Sequence, residues 1–243
     1  TTMRVLMIAT SHAQLGDTNK LTGAWLEELS SPYYVFKEAG GHITVASPLG
    51  GEVPLDPKSQ SIIVATQSTK RFLKDPEAIE FFSTSIPLEQ VRAEDFDLVF
   101  LPGGHGPMWD MVNNSSLKLL LQDFNLQNKP IGSVCHGVVG LLSLQSNGGE
   151  LLIKGKHLTS FSNSEEESAR LTSVVPFLLE TELGLAGALF SKGANYVSYV
   201  VVDGNIITGQ NPASSEEVAK KLVALFQHNA FINKRQSVLT EEI

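Results

Sequence analysis

One cysteine occurs in the 243 residues, Cys135, and a histidine follows it directly in the stretch KPIGSVCHGVVGLLSL, Lys129 to Leu144. A thiol beside an imidazole is suited to attack on carbonyl carbon, because the thiolate supplies the electron pair and the imidazole moves protons. Pro130 and Gly132 punctuate the stretch, residues 131–134 predict a short buried strand and residues 138–144 an apolar helix. Cys135 and His136 then fall on the strand-to-helix junction, with Ser133 and Gly137 as the small neighbours of a nucleophile elbow. The positive end of the following helix predicts an accessible thiolate, open also to oxidation to sulfenic or sulfinic acid. The alternative for a lone cysteine is an inert core residue.

Positioning these groups falls to alternating strands and helices. MRVLMIAT (3–10), a helical region ending in KEAGG (37–41), HITVASP (42–48), DLVFLPGG (97–104), a helix over 117–125 and the 131–134 strand give the rhythm of a parallel sheet. Ile153, Leu158 and Phe161 predict a later strand, 196–202 and 205–208 a hairpin across Asp203-Gly204, and 213–228 a closing amphipathic helix after a turn at Asn211-Pro212, capped by Ser214 or Ser215. Residues 52–93 break the rhythm and predict a lid-like insertion with short helices around Phe72 and Phe81. The expectation is one α/β domain over 1–243.

Ligands of open parallel sheets bind beyond the carboxyl ends of the strands, which directs attention to LPGGHG (101–106) as well as Cys135-His136-Gly137. Gly103 and Gly104 let backbone amides approach a ligand, and the amides of Gly104 and His136 could form an oxyanion hole. His105 either lines the cavity or completes a turn, and Trp25 or Trp109 could wall it. Trp109 stands where a dinucleotide fingerprint needs its third glycine, and no GxxxxGK[ST] loop occurs. His12, His42, His157 and His228 lack the paired spacing of a zinc site, so neither metal nor cofactor is expected.

Composition narrows the class. Hydrophobic residues make up 42% of the chain, enough for a substantial core, and the formal charge of −8 without a basic cluster argues against nucleic-acid and anionic-membrane partners. A single cysteine forms no internal disulfide. The apolar run at 4–10 ends too early for a signal peptide, and no run approaches the ~18 residues of a membrane span, so a cytoplasmic protein is expected.

The ordered motifs TGAWLEELSSPYYVFKEAGGHITVASPLGG (22–51), LPGGHG (101–106), SVCHG (133–137), FSNSEEE (161–167) and GQNPAS (209–214) resemble the PfpI-like superfamily, which includes the Parkinson's-associated deglycase. The similarity is closest to its branch of heat-shock chaperones and glutathione-independent glyoxalases of the glyoxalase III type. The resemblance implies a flavodoxin-like, doubly wound, mostly parallel sheet with helices on both faces, and a homodimer. It implies Cys135 as nucleophile, His136 as its adjacent histidine and Glu28 as its acid, with Glu27 as the competing assignment. Glu28 keeps the family spacing of four to Pro32, read as the first residue of a helix capped by Ser31. Glu166, within Glu165-Glu166-Glu167, takes the place of the carboxylate that orients the histidine, although a run of acids is otherwise a solvated helix start.

The activity so implied is conversion of 2-oxoaldehydes such as methylglyoxal to 2-hydroxy acids through a cysteine hemithioacetal. Glu28 serves the sulfur, and His136 moves protons at the substrate carbons. The pair of Glu28 and Cys135 is expected to share a proton. Rival readings are a cysteine amidase or peptidase, a deglycase acting on glycated proteins, and a holdase for unfolded proteins, which needs a large exposed apolar patch.

Overall fold

A computed structural model describes residues 2–242. The first strand, β1 (Arg4–Ile8), is buried on both faces, with Val5 and Met7 on one and Leu6 and Ile8 on the other, as a central parallel strand requires. It lies in a seven-stranded sheet of order β3-β2-β1-β4-β5-β9-β8, formed with β2 (His42–Ser47), β3 (Ile86–Pro87), β4 (Leu98–Leu101), β5 (Ile131–Val134), β8 (Val200–Asp203) and β9 (Ile206–Gly209). Only β8 runs antiparallel, paired to β9 as a hairpin. The chain builds outward from β1 in one direction through β2 and in the other through β4, so the carboxyl ends of β1, β4 and β5 border the point where the order reverses. This is the flavodoxin-like, doubly wound α/β fold expected from the sequence.

Two apolar layers clamp the sheet. Leu26, Leu29, Tyr33 and Phe36 of α1 (Leu26–Glu38) and Val218 and Leu222 of α8 (Ser215–Glu241) pack with Val5, Met7 and Phe100. On the opposite face Met108 of α4 (Pro107–Asp110) and Leu117, Leu121 and Phe124 of α5 (Ser115–Leu126) pack with Leu6, Ile8 and Val99. Asn114 caps α5 by accepting the Leu117 amide at 3.1 Å. Residues 52–93 carry the expected helices, α2 (Gln67–Phe72) and α3 (Pro76–Ser83), and seat Phe72, Ala78 and Phe82 in the α1 layer.

Several local expectations are corrected. α1 begins at Leu26 with Trp25 at its N-cap, so Pro32 is interior rather than first, and Ser31 caps nothing. Burial of this face holds the helix together although Pro32 removes the amide that would close on the Glu28 carbonyl. The apolar run after Cys135 forms a 3-10 helix over Cys135–Leu141 instead of an α-helix, consistent with Gly137 and Gly140 within it. The strand expected from Ile153 shrinks to β6 (His157–Leu158), which pairs with β7 (Leu189–Phe190) in a separate two-stranded sheet. β8 starts at Val200, not Tyr196, because the Tyr196 amide goes to Glu165 at 2.8 Å and the Val197 carbonyl accepts from Asn211 at 2.8 Å. α8 runs past His228 because neither glycine nor proline interrupts it. Among the described residues no helix is long and apolar enough to cross a membrane.

Candidate active site

β5 ends directly at Cys135, whose φ of 58° puts a non-glycine residue in the left-handed region. That backbone is the sharp elbow expected from the small neighbours, and it costs energy that the packed surroundings must hold. The thiol is free but only 3% exposed, and Cys135 lines a cavity of about 200 Å³. The expectation of an exposed, helix-stabilised thiolate is therefore corrected. Burial, then the negative charge of Glu28 and of Glu165, pushes the thiol well above its ordinary value, while the nearby amides of His136 and Gly104 oppose the rise.

Glu28 reaches the same sulfur from the first turn of α1. Its Oε1 accepts the Gly103 amide at 2.8 Å, and its buried Oε2 has no hydrogen-bond partner among the described residues, in the site that Cys135 also lines. Complete burial raises its pKa to about 8, against the lowering effect of the Gly103 amide and the nearby Cys135 thiol. A neutral carboxyl with one oxygen held by an amide donates its proton from the other. Glu27 turns away, accepting hydroxyl protons from Thr66 and Ser68, so Glu28 is the acid beside the sulfur. The Gly103 amide can approach because that residue has no side chain: a Cβ there would stand 2.8 Å from Glu28 Oε1 and from the Gly137 amide. Gly104 has a φ of 95°, which only glycine adopts readily.

His136 Nδ1 lies 3.5 Å from Cys135 Sγ, and its Nε2 meets Glu166 Oε2 at 2.5 Å. Glu166 is thus the inward member of the acidic run. Glu165 completes a capping box with Ser162 on α6 (Asn163–Ser168) and receives Gln210 at 2.8 Å and Asn211 at 3.0 Å, while Glu167 accepts from Thr172. His105 Nε2 meets the other oxygen of Glu166 at 2.6 Å, and the two imidazoles lie 4.1 Å apart between ring centroids. Burial, then His105, lowers the pKa of His136, which stays neutral at neutral pH. Burial alone would raise Glu166, but the two histidines reverse this and hold it well below the usual carboxylate range. One anionic carboxylate therefore holds both imidazoles, and the neutral His136, with Nε2–H donating to Glu166, presents its Nδ1 lone pair to the thiol.

Glu166, His105 and His136 place ligand-type atoms within 4.8 Å of one another. The nitrogen–oxygen contacts of 2.5–2.6 Å are those of shared protons, shorter than the ~3 Å that separates two ligand atoms around an ion with bonds of about 2 Å.

Trp25 walls the cavity as expected, whereas Trp109 stacks on His12 with centroids 5.1 Å apart. Leu15, Leu21, Phe161, Leu171 and Tyr196 complete an apolar wall that sequence reading missed, and Asp56 and Lys58 reach the cavity from the 52–93 segment. The run FSNSEEE did hold a usable signal for Phe161, since it immediately precedes the capping box.

The model of the DJ-1/PfpI family matches residues 21–225, most of the chain, including Glu28, His105, Cys135, His136 and Glu166. The chain belongs to the DJ-1/PfpI family. Within the DJ-1/PfpI family it is similar to the glutathione-independent glyoxalase hsp3101 of Schizosaccharomyces pombe, with 28% identity over 238 residues, 92% of this chain and 96% of the relative. The solved structure of glyoxalase III from Candida albicans superposes with a TM-score of 0.85 at 25% identity, covering 91% of this chain and 96% of that one. The 24 kDa rapid encystment protein of Francisella tularensis is similar at 39% identity with a TM-score of 0.88, covering 93% and 99%.

Proposed function

We propose that this chain is a cofactor-free, cysteine-dependent glyoxalase of the glutathione-independent type, converting 2-oxoaldehydes such as methylglyoxal to 2-hydroxy acids. The observation that carries the reading is the convergence on one sulfur of a neutral buried acid, Glu28, and an imidazole backed by a carboxylate, His136 with Glu166. The names of the similar glyoxalases support it.

His136 Nδ1 takes the thiol proton as Cys135 Sγ bonds to the aldehyde carbon, the more electrophilic carbonyl, and Glu166 stabilises the imidazolium. Glu28 holds its proton toward sulfur and so avoids a second negative charge beside the attacking thiolate. The amides of Gly104 and His136, close enough to Sγ to oppose its raised pKa, are the donors for the adduct oxygen. Returning the proton to that oxygen gives a hemithioacetal. Proton transfer from the aldehyde carbon to the neighbouring carbon passes through an enediolate to a thioester, a step to which a placed base contributes about 10²- to 10⁴-fold. Water then releases the hydroxy acid and restores the thiol.

Purified protein incubated with methylglyoxal in thiol-free buffer, followed by proton NMR, tests the reading: lactate is expected. No lactate, together with ammonia release from a glutamine-type amide, favours the amidase reading.

The same reading includes a homodimer in the cytoplasm. Ile62 and Ile63, 87% and 90% exposed on the 52–93 segment, are apolar surface that a second copy would cover. Action on glycated or unfolded proteins remains part of the proposal on the same footing, tested by suppression of aggregation in Cys135→Ala, which lacks the nucleophile.

A further inference from the structure

Rearranging the hemithioacetal requires two proton transfers, and one imidazole accounts for one of them. The proton on the aldehyde carbon must reach the neighbouring carbon, and the proton on the first oxygen must reach the second. His136, 3.5 Å from Sγ, stands next to the carbon that sulfur attacks. His105 lines the same cavity, 4.1 Å from the His136 ring centroid, and both rings pack on Phe161. Its Nε2 is engaged by Glu166 at 2.6 Å, the one hydrogen bond of the ring among the described residues, which leaves Nδ1 to the cavity. A buried imidazole with one nitrogen anchored to an anion and the other free in a substrate cavity is a proton carrier of fixed tautomer.

Building on the glyoxalase reading, we propose that His105 is a second catalytic histidine, which carries the oxygen-bound proton of the adduct while His136 carries the carbon-bound one. The bookkeeping closes. His136 Nδ1 removes the proton from the aldehyde-derived carbon, giving an enediolate with the second oxygen negative and the first protonated. His105 Nδ1 accepts the proton of the first oxygen and hands it to the second. His136 then protonates the second carbon as the electron pair on the first oxygen re-forms a carbonyl, which yields the thioester with a hydroxyl beside it. Both histidines end neutral and no external oxidant or reductant enters. Glu166 serves both rings with one charge, so whichever imidazole is cationic at a given moment sits against a carboxylate oxygen at 2.5 or 2.6 Å. This assigns a function to the histidine of the LPGGHG turn beyond shaping that turn, and it explains why Glu166 is bidentate.

The test uses His105→Gln, whose amide N–H retains a hydrogen bond to Glu166 but which has no basic nitrogen to relay a proton, with phenylglyoxal as substrate in deuterium oxide, because its only carbon-bound proton near the carbonyls is the aldehyde one. The expected result is a fall in kcat of about 100-fold with KM within about threefold and unchanged alkylation of Cys135 by iodoacetamide. Unreacted phenylglyoxal should also gain deuterium at the aldehyde carbon faster than mandelate forms, since His136 still exchanges that proton while the oxygen transfer stalls. Wild-type turnover combined with kcat within threefold in the variant, or with loss of alkylation in parallel with kcat, overturns the role of His105 and leaves the glyoxalase reading standing. A wild-type protein inert toward both phenylglyoxal and methylglyoxal overturns the glyoxalase reading and this inference with it.

Discussion

The Glu28 carboxyl and the Cys135 thiol line one buried site side by side, the acid coming from the first turn of α1 and the sulfur following the end of β5, and the charge of the one raises the pKa of the other. Two negative charges at that separation without water are disfavoured, so the pair retains at least one proton at neutral pH. The burial that keeps Glu28 protonated also keeps the resting thiol protonated, and His136 must take that proton at the moment of attack.

This coupling sets the pH profile. His136 has a lowered pKa, so the acid limb of activity lies below its ordinary value of 6.5, where protonation removes the base. Ionisation of Glu28 at about 8 places a negative charge beside the sulfur and sets an alkaline limb. Initial rates of methylglyoxal consumption from pH 5 to 10 should give a bell, and Glu28→Gln should lose its alkaline side while kcat/KM falls about 10²-fold at pH 7. An alkaline limb that survives in Glu28→Gln contradicts the assignment.

Glu166→Gln should lower kcat by about 10²- to 10⁴-fold. Glutamine offers one acceptor oxygen where two imidazole N–H groups now donate, so one ring must reverse its tautomer or lose its partner. If His136 is the ring that reverses, the thiol meets an N–H instead of a lone pair. Rates measured alongside the circular dichroism spectrum separate this from unfolding.

The two acids should move stability in opposite directions with pH. Glu28 is raised in the fold, from 4.5 to about 8, so the folded state keeps a proton that the unfolded chain sheds; its contribution is full below pH 4.5, falls as pH rises to about 8 and is then constant. Glu166 is depressed in the fold, so its contribution is present above 4.5 and lost as pH falls below that value. Thermal melts between pH 3 and 9 should show Glu28→Gln gaining on the wild type toward pH 8, on the order of a few kcal/mol, and Glu166→Gln losing most at neutral pH.

Gly103→Ala should disable the site at a moderate cost in stability. The added Cβ would stand 2.8 Å from Glu28 Oε1 and 2.9 Å from the His136 amide, so the groups that bracket the sulfur must separate. A stability loss of about 1–3 kcal/mol by urea denaturation, with a larger proportional fall in kcat, is expected.

Much of this was legible in the sequence, because alternating strands and helices fix which strand ends converge, and because a cysteine between small residues at such an end has few ways to fold. The elbow, the glycine turn and the hairpin follow from that, whereas Glu28 is singled out over Glu27 only by the resemblance to the family's spacing. The thiol's burial was not legible, since the helix signal after Cys135 pointed to a stabilised anion, whereas the α1 carboxyl that faces it comes from a residue 107 positions away. Glu166 could be singled out only partly: Ser162 and Glu165 form a capping box visible as S-x-x-E, which commits Glu165 to its own helix and leaves the next position to turn inward. Its second partner, His105, depends on a tertiary contact across 61 residues that no local pattern encodes.

The account stands or falls on whether turnover passes through Cys135. The direct measurement is rapid-quench mass spectrometry of protein mixed with one equivalent of phenylglyoxal: a transient adduct is expected on the peptide bearing Cys135, decaying as mandelate appears, with neither adduct nor mandelate from Cys135→Ser. Mandelate formed at an undiminished rate by Cys135→Ser, or in the wild type without any adduct on that peptide, would contradict it.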